Sequence, residues 1–443
     1  MFRSKLLCAA ALAMAATAFN AQAKYVPEKW NLEAREKFAA QRFGIFIHWG
    51  IYANYAQGEW YLQHGRLNEA AYSRMMHGFY PSKFDAREWV KTFKKAGAKY
   101  VTITSRHHDG FSMWHTKVDD GYNIANTPFK RDVIAEIAAA CREEGLQLNF
   151  YYSLMDWHRK DYPPGNAAEK VPLRGRKVDY PQYKKFMMAQ VAELIDNFKP
   201  GNIWFDGEWE HLPMQSDGTR KSTLDWGFDE IYDLIHSKKT LVANNHHHAL
   251  RDKEDLQIFE RDLPGVGTHF SKDSPVVRDR PIEQCDVIQN NVWGYKIANT
   301  AEFLTAEKII AMTARAASKG ANMLMNIGPD GSGMLPAEAV TALEGCGKWF
   351  DKNGESIYNT QACGVGLGGD IVSTRRGNVL YIHFLNPEAE KFAFTVDGEI
   401  ASAVYLATGE KAKVERTASG DVVVTTKRAK DDKFDFVVRI EVK

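Results

Sequence analysis

Beyond residue 23 the 443-residue sequence contains no uninterrupted apolar run of the about 20 residues that a membrane-spanning helix needs. Insertion into a membrane is therefore not expected. Cysteine is scarce as well: after residue 23 only Cys141, Cys285, Cys346 and Cys363 occur, too few and too scattered for a disulfide scaffold in a chain of this size. Cys346 and Cys363 are the pair considered for a bridge, buried free thiols being the preferred reading. No Cys-x-x-Cys spacing occurs, which removes a thiolate zinc site. Nor is there an excess of one charge. With 57 Lys and Arg against 56 Asp and Glu, no broad field favours nucleic acid or an anionic surface as partner. Internal repeats, low-complexity tracts and long charge blocks are absent, and a hydrophobic content of 44% excludes disorder and collagen.

Aromatic residues are plentiful, 11 Trp, 18 Tyr and 24 Phe, which suits a large core and a site that packs against sugars or other flat-faced ligands. Residues 1–23 have the form of an export signal. Arg3 and Lys5 make the positive start, Leu6 to Phe19 the apolar run, and Ala21-Gln22-Ala23 the cleavage site. The mature chain is expected to begin at Lys24 and to be exported, periplasmic or secreted.

From residue 24 to about 355, short β-rich runs alternate with helical patterns, which predicts parallel βα units. The expected strands are Phe43 to His48, Tyr100 to Ser105, Leu146 to Ser153, Asn202 to Asp206, Thr240 to Asn244, Leu256 to Glu260, Asp286 to Ile288 and Asn322 to Ile327. Eight such units predict an α/β fold, a (β/α)₈ barrel of the TIM type. Residues 356–443 change texture. Their alternating runs, such as Val379 to Phe384 and Phe434 to Val442, have no helical stretch between them and predict a small antiparallel β-sandwich.

In such a barrel the active face lies at the C-terminal ends of the strands. His48, His107, His108, Asp206, Asn244, Asn245 and Glu260 all fall there. Alternation turns Asn202, Trp204 and Asp206 inward on the fourth strand and Gln147, Asn149 and Tyr151 inward on the third. It places Glu260 on the side of Leu256 and Ile258 and does not by itself aim it inward. A carboxylate at the barrel mouth, a second one from another strand and many Trp and His residues fit glycoside hydrolysis.

Longer motifs sharpen this. Phe43-Gly44-Ile45-Phe46-Ile47-His48-Trp49-Gly50, Gly58-Glu59-Trp60-Tyr61, Ser105-Arg106-His107-His108-Asp109-Gly110-Phe111, Tyr151-Tyr152-Ser153, Trp204-Phe205-Asp206-Gly207 and Asn326-Ile327-Gly328-Pro329 resemble the α-L-fucosidases of glycoside hydrolase family 29. The resemblance covers about residues 28–360 in order and extends to the terminal sandwich. It implies an exo-acting, retaining hydrolase of terminal α-L-fucosyl residues, with fucosylated oligosaccharides or glycoconjugates as substrates and no cofactor. It implies Asp206 as nucleophile and sugar contacts from His48, Glu59, Trp60, His107, His108, Tyr151 and Trp204. Glu260 is chosen as acid/base, with Glu283 as alternative. Where many relatives carry a sugar-binding arginine after Asn244-Asn245, this chain has His246, held as a substitute contact that lacks the guanidinium fork. Two other readings stand beside this one. A zinc-dependent barrel hydrolase would use some of His48, His107, His108, His246 and Asp206, although neither His-x-His on the first strand nor His-Glu-x-x-His occurs. A secreted carbohydrate-binding protein without catalysis would leave the carboxylates idle.

Overall fold

The computed structural model describes residues 25–118, 121–173, 175–211, 222–246, 248–266, 276–297, 302–365, 369–428 and 433–443. The expected export signal lies outside them. Eight strands, β1 Phe43–Ile47, β2 Tyr100–Arg106, β3 Gln147–Ser153, β4 Asn202–Asp206, β5 Leu241–Asn245, β6 Gln257–Glu260, β7 Ile282–Val287 and β8 Ala321–Ile327, form one sheet. Their spatial order is β5-β4-β3-β2-β1-β8-β7-β6, all neighbours parallel. A single parallel bridge from Ala243 to Leu256 joins β5 to β6 and closes the barrel.

These strands are apolar on both faces because both faces are covered. Ile45, Ile47, Val101, Ile103, Phe150, Ile203, Phe205 and Val242 pack outward against the helices. Phe46, Tyr100, Tyr151, Trp204, Ala243, Ile258 and Leu324 fill the barrel. Helices Ala86–Lys95 and Val133–Glu144 start where Asp85 and Asp132 accept backbone N–H bonds, and bury Trp89, Val90 and Phe93, and Ile134, Ile137 and Ala138. The floor is plugged by Phe38, from helix Lys29–Gln41, against the Tyr100 ring at 5.2 Å. Gly44 makes room for that ring, since a Cβ there would lie 2.4 Å from it.

The β5/β6 seam is built differently. No described helix separates β5 from β6 or β6 from β7. Asp255, just before β6, accepts Val242 N–H through Oδ2 at 2.7 Å while its own N–H donates to Val242 O at 2.8 Å. Its Oδ1 holds Asn31 at 2.8 Å and the Arg35 guanidinium at 2.6 Å, so the buried carboxylate ties the first helix to the seam.

Most expected strands hold to within one residue at an end, and the seventh is corrected. The seventh strand runs Ile282–Val287 rather than Asp286 to Ile288, because Glu283 and Gln284 are buried polar residues that conceal the pattern. The fifth extends to Asn245. After helix Ala337–Asn353 come a five-stranded sheet (Gln361–Ala362, Ile371–Arg376, Val379–Phe384, Ile400–Tyr405, Phe436–Val442) and a three-stranded one (Lys391–Phe394, Lys413–Arg416, Val422–Thr425). Leu380, Ile382, Val438 and Ile440 pack against Phe394, Val422 and Val424 between the two sheets. The other face of the larger sheet, with Val379, Tyr381 and Val437, joins the barrel's core, and Trp349 Nε1 donates to Asp435 O at 2.8 Å. All four described cysteines are free, Cys346 and Cys363 included.

Candidate active site

A cavity of about 280 Å³ opens at the C-terminal ends of the strands, lined by Phe46, His48, Trp60, His107, His108, Tyr151, Trp204, Asp206, Trp209, Asn245, Glu260 and Trp293. Strand periodicity accounts for most of it. Phe46 and His48 share the inward side of the first strand, Tyr151 ends the inward row of β3, and Trp204 and Asp206 that of β4. Tyr151 and Trp204 stack at 5.5 Å, and His107 stacks on Tyr151 at 5.3 Å. On β6, Leu256 and Ile258 belong to the cluster inside the barrel, so the alternation that groups Glu260 with them turns it inward.

Asp206 is the most heavily hydrogen-bonded carboxylate of the cavity. Its Oδ2 accepts from Tyr151 OH at 2.8 Å, and its Oδ1 accepts from Trp209 Nε1 and Asn245 Nδ2, both at 3.2 Å. Gly207 follows with φ +99°, a conformation open to glycine, and its N–H also serves the carboxylate; a Cβ there would meet Met155 at 2.8 Å. Glu260 has one such partner, Asn245 Nδ2 at 2.6 Å. A nitrogen shared at 3.2 and 2.6 Å keeps the two carboxylate oxygens within about 6 Å of each other, a span that admits the about 5 to 5.5 Å separation of a retaining glycosidase.

Burial raises the affinity of both carboxylates for protons, and the donors around Asp206 oppose this. Glu260, buried and facing the Asp206 charge, is pushed up to about 8. Burial and the neighbouring charge thus favour the proton on Glu260, while the donors around Asp206 favour its ionised form.

The imidazoles are neutral. Burial lowers His48 to about 3 and takes His107 and His108 well below the usual imidazole range. Asn326 Nδ2 donates to Trp293 O at 2.7 Å, which turns Asn326 Oδ1 toward His48 Nδ1, also at 2.7 Å. His48 therefore carries its hydrogen on Nδ1 and offers Nε2 as an acceptor. Ser153 Oγ donates to Met155 O and so accepts from His108 Nδ1, leaving His108 Nε2, 3.6 Å from Asp206, as a second acceptor. The buried His107 Nδ1 has no hydrogen-bond partner among the described residues. Neutral rings of this kind bind hydroxyls without opposing positive charge that develops on a sugar ring.

Three residues named from the sequence lie off the cavity wall. Glu59 is buried behind it, its Oε2 accepting Gly294 N–H at 2.7 Å and so fixing the loop that carries Trp293. His246 follows the inward Asn245 and bonds Glu254 through Nε2 at 2.8 Å, within a cluster where Arg251 grips Glu208. Glu283 lies beneath the cavity, accepting from Tyr100 OH at 2.7 Å and Trp204 Nε1 at 3.0 Å. No group of three or more His, Cys, Asp or Glu among the described residues is arranged to hold a metal ion. The sequence places Asn245 at the active face without giving it a role, and does not point to Phe46, Trp209 or Trp293. Strand parity carries a signal for Phe46 and Asn245; Trp209 sits on the one-turn 3-10 helix Glu208–His211 and Trp293 on an irregular segment, both too short to show a period.

Comparison with known proteins decides the class of this constellation. A sequence model described as alpha-L-fucosidase matches residues 12–355. The chain belongs to the α-L-fucosidase family. Among curated members of that family, human tissue alpha-L-fucosidase is 30% identical over 394 residues, 82% of this chain and 78% of its own. The solved structure of α-L-fucosidase isoenzyme 1 from Paenibacillus thiaminolyticus superposes with a TM-score of 0.79 at 30% identity, covering 93% of this chain and all of its own. A family 29 fucosidase from Bacteroides thetaiotaomicron, solved as a trapped covalent intermediate with 2-fluoro-fucosyl fluoride, gives 0.78 at 25% identity, over 95% of this chain and all of its own.

Proposed function

We propose that this chain is an exo-acting, retaining α-L-fucosidase that removes terminal α-L-fucosyl residues from glycans, with Asp206 as nucleophile and Glu260 as acid and then base. The observation that carries the assignment of roles is the unequal treatment of two carboxylates bound to one amide nitrogen. Asp206, held by Tyr151, Trp209 and Asn245, is kept ionised and attacks the anomeric carbon. Glu260, with a single donor and a raised proton affinity, delivers its proton to the leaving oxygen and then takes one from the attacking water. The small cavity, walled by Trp60, Trp204 and Trp293, suits one terminal sugar with an apolar face and a methyl group. His48, His107 and His108 supply hydroxyl contacts there.

Residues 24–355 form the catalytic unit in this reading, and the sandwich of residues 356–443 braces its last helices. No described helix is long and apolar enough to cross a membrane. The signal pattern of residues 1–23 supports export, with a mature terminus at Lys24 that terminal sequencing of the exported protein would establish.

The deciding experiment is incubation with 2-fluoro-fucosyl fluoride followed by peptide mapping. A stable fucosyl ester on Asp206, together with release of α-fucose as the first-formed anomer from an aryl α-fucoside, is the expected result. A label elsewhere, or β-fucose formed first, removes the assignment.

A further inference from the structure

Over a double displacement the negative charge of the carboxylate pair changes place. In the first half Asp206 forms a bond to the anomeric carbon, the bond to the leaving oxygen breaks, and that oxygen takes the proton of Glu260. Asp206 is then a neutral ester and Glu260 the anion. In the second half water gives its proton to Glu260 as its oxygen attacks the anomeric carbon, and the ester's bonding pair returns to Asp206. The charge has crossed the site and come back, and a donor fixed on either carboxylate alone would serve only half of the cycle.

Asn245 is placed to serve both. Its Nδ2 stands 3.2 Å from Asp206 Oδ1 and 2.6 Å from Glu260 Oε2. The ionised member of the pair is an acceptor only, and the protonated one keeps an acceptor oxygen, so the amide presents its nitrogen to the pair. Its neighbour Asn244 faces the other way, with Nδ2 on Glu208 at 3.0 Å. The Asn245–Glu260 bond also spans the β5/β6 seam, where the described backbone contributes the bridge from Ala243 to Leu256 and the bond from Asp255 N–H to Val242 O.

We propose that Asn245 is a positioning residue for both half-reactions, its single amide nitrogen donating to whichever of Asp206 and Glu260 holds the negative charge while pinning the β6 end across the seam. The donor need not move as the charge moves, so neither transition state bears the cost of reorienting it. The proposal rests on the roles given above to Asp206 and Glu260.

The test is the pH dependence of kcat/KM for Asn245→Ala and the isosteric Asn245→Asp in the full-length protein, with an aryl α-fucoside as substrate. For Asn245→Ala, kcat should fall about ten- to a hundredfold, the effect of losing charge-assisted hydrogen bonds. Both limbs of the profile should move to higher pH. The acid limb rises because ionised Asp206 loses one of its donors, and the alkaline limb rises because ionised Glu260 loses its side-chain donor. Asn245→Asp, which keeps the shape and adds a third carboxyl, should raise both limbs further. A folded variant with reduced kcat and limbs at their wild-type positions would overturn the proposal, leaving Asn245 a structural role alone; so would unchanged kcat. A fucosyl label on a residue other than Asp206 in the unmodified enzyme would instead remove the underlying assignment, so the two failures are told apart.

Discussion

The half of the barrel from β1 to β4 and the half from β5 to β7 solve the same problem by different means. In the first, each strand pairs with its neighbour along a ladder of at least four residues, broken by one register shift between Thr104 and Arg106, helices separate successive strands, and the side chains delivered to the cavity are rings and the nucleophile. In the second, β5 and β6 share one bridge, no described helix intervenes, and side chains replace the missing backbone pairing: Asp255 on Val242 N–H at the floor, Asn245 on Glu260 at the mouth. Rigid backbone holds the group that must attack along a line, while a polar brace holds the group that exchanges protons with what enters and leaves.

Breaking the first half at its chemical centre should have the largest effect. Asp206→Gly should lower kcat by several orders of magnitude, with azide restoring part of the turnover as the β-fucosyl azide. Near-normal kcat would move the nucleophile elsewhere.

Glu260→Ala tests the second half. Substrates whose leaving group needs a proton should slow by about 10²- to 10⁴-fold, the range of general acid catalysis, while activated aryl fucosides with low-pKa leaving groups should be spared in the fucosylation step. In the unmodified enzyme the donor is lost as pH rises through about 8, so kcat/KM should decline above that pH and the decline should vanish in Glu260→Gln. If Glu283→Ala shows this pattern instead, the two glutamates exchange roles.

At the seam the effect should be on stability. Asp255→Ala leaves Arg35 buried without its counter-charge, and a loss of about 3 to 5 kcal/mol is expected in chemical denaturation. A loss below about 1 kcal/mol would show that the bridge between β5 and β6 suffices without the brace. The smallest change is expected from His246→Ala, which removes a bond to Glu254 and should alter KM by less than about threefold, since the ring does not line the cavity. A tenfold rise in KM would place His246 on the sugar after all.

The two halves also differ in how much of them was legible. Strands such as Asn202–Asp206 have inward and outward rows that separate cleanly by residue type, so the inward aim of Trp204 and Asp206 follows from period alone. On β6 the inward row is Leu256 and Ile258, indistinguishable by type from an outward row; only the packed barrel interior assigns it. On β7, Glu283 and Gln284 are buried and hide the strand's pattern, because a buried carboxylate held by Tyr100 and Trp204 looks like a loop residue until its partners are known. His246 occupies the expected position of a sugar contact, yet Glu254, eight residues on, draws it aside. The motif resemblance located the mouth of the barrel, whereas the division of labour among its polar groups came from contacts between residues distant in sequence.

The seam has one more consequence, for how such a chain can vary. Between Asn245 and Gln257 no described helix must cover the sheet, and the described backbone ties β6 to β5 by one bridge and the Asp255–Val242 bond in place of a full ladder. Residues can be gained or lost in that stretch without shifting a helix or a full ladder, provided that an acid residue still arrives opposite Asn245. The motif around Asp206 has no such freedom, because each residue of β4 is registered against both neighbouring strands from Ile203 to Asp206. Descendants of this architecture can therefore keep the nucleophile in a fixed word while the number of residues separating it from its partner drifts, and an alignment anchored on the one will misplace the other.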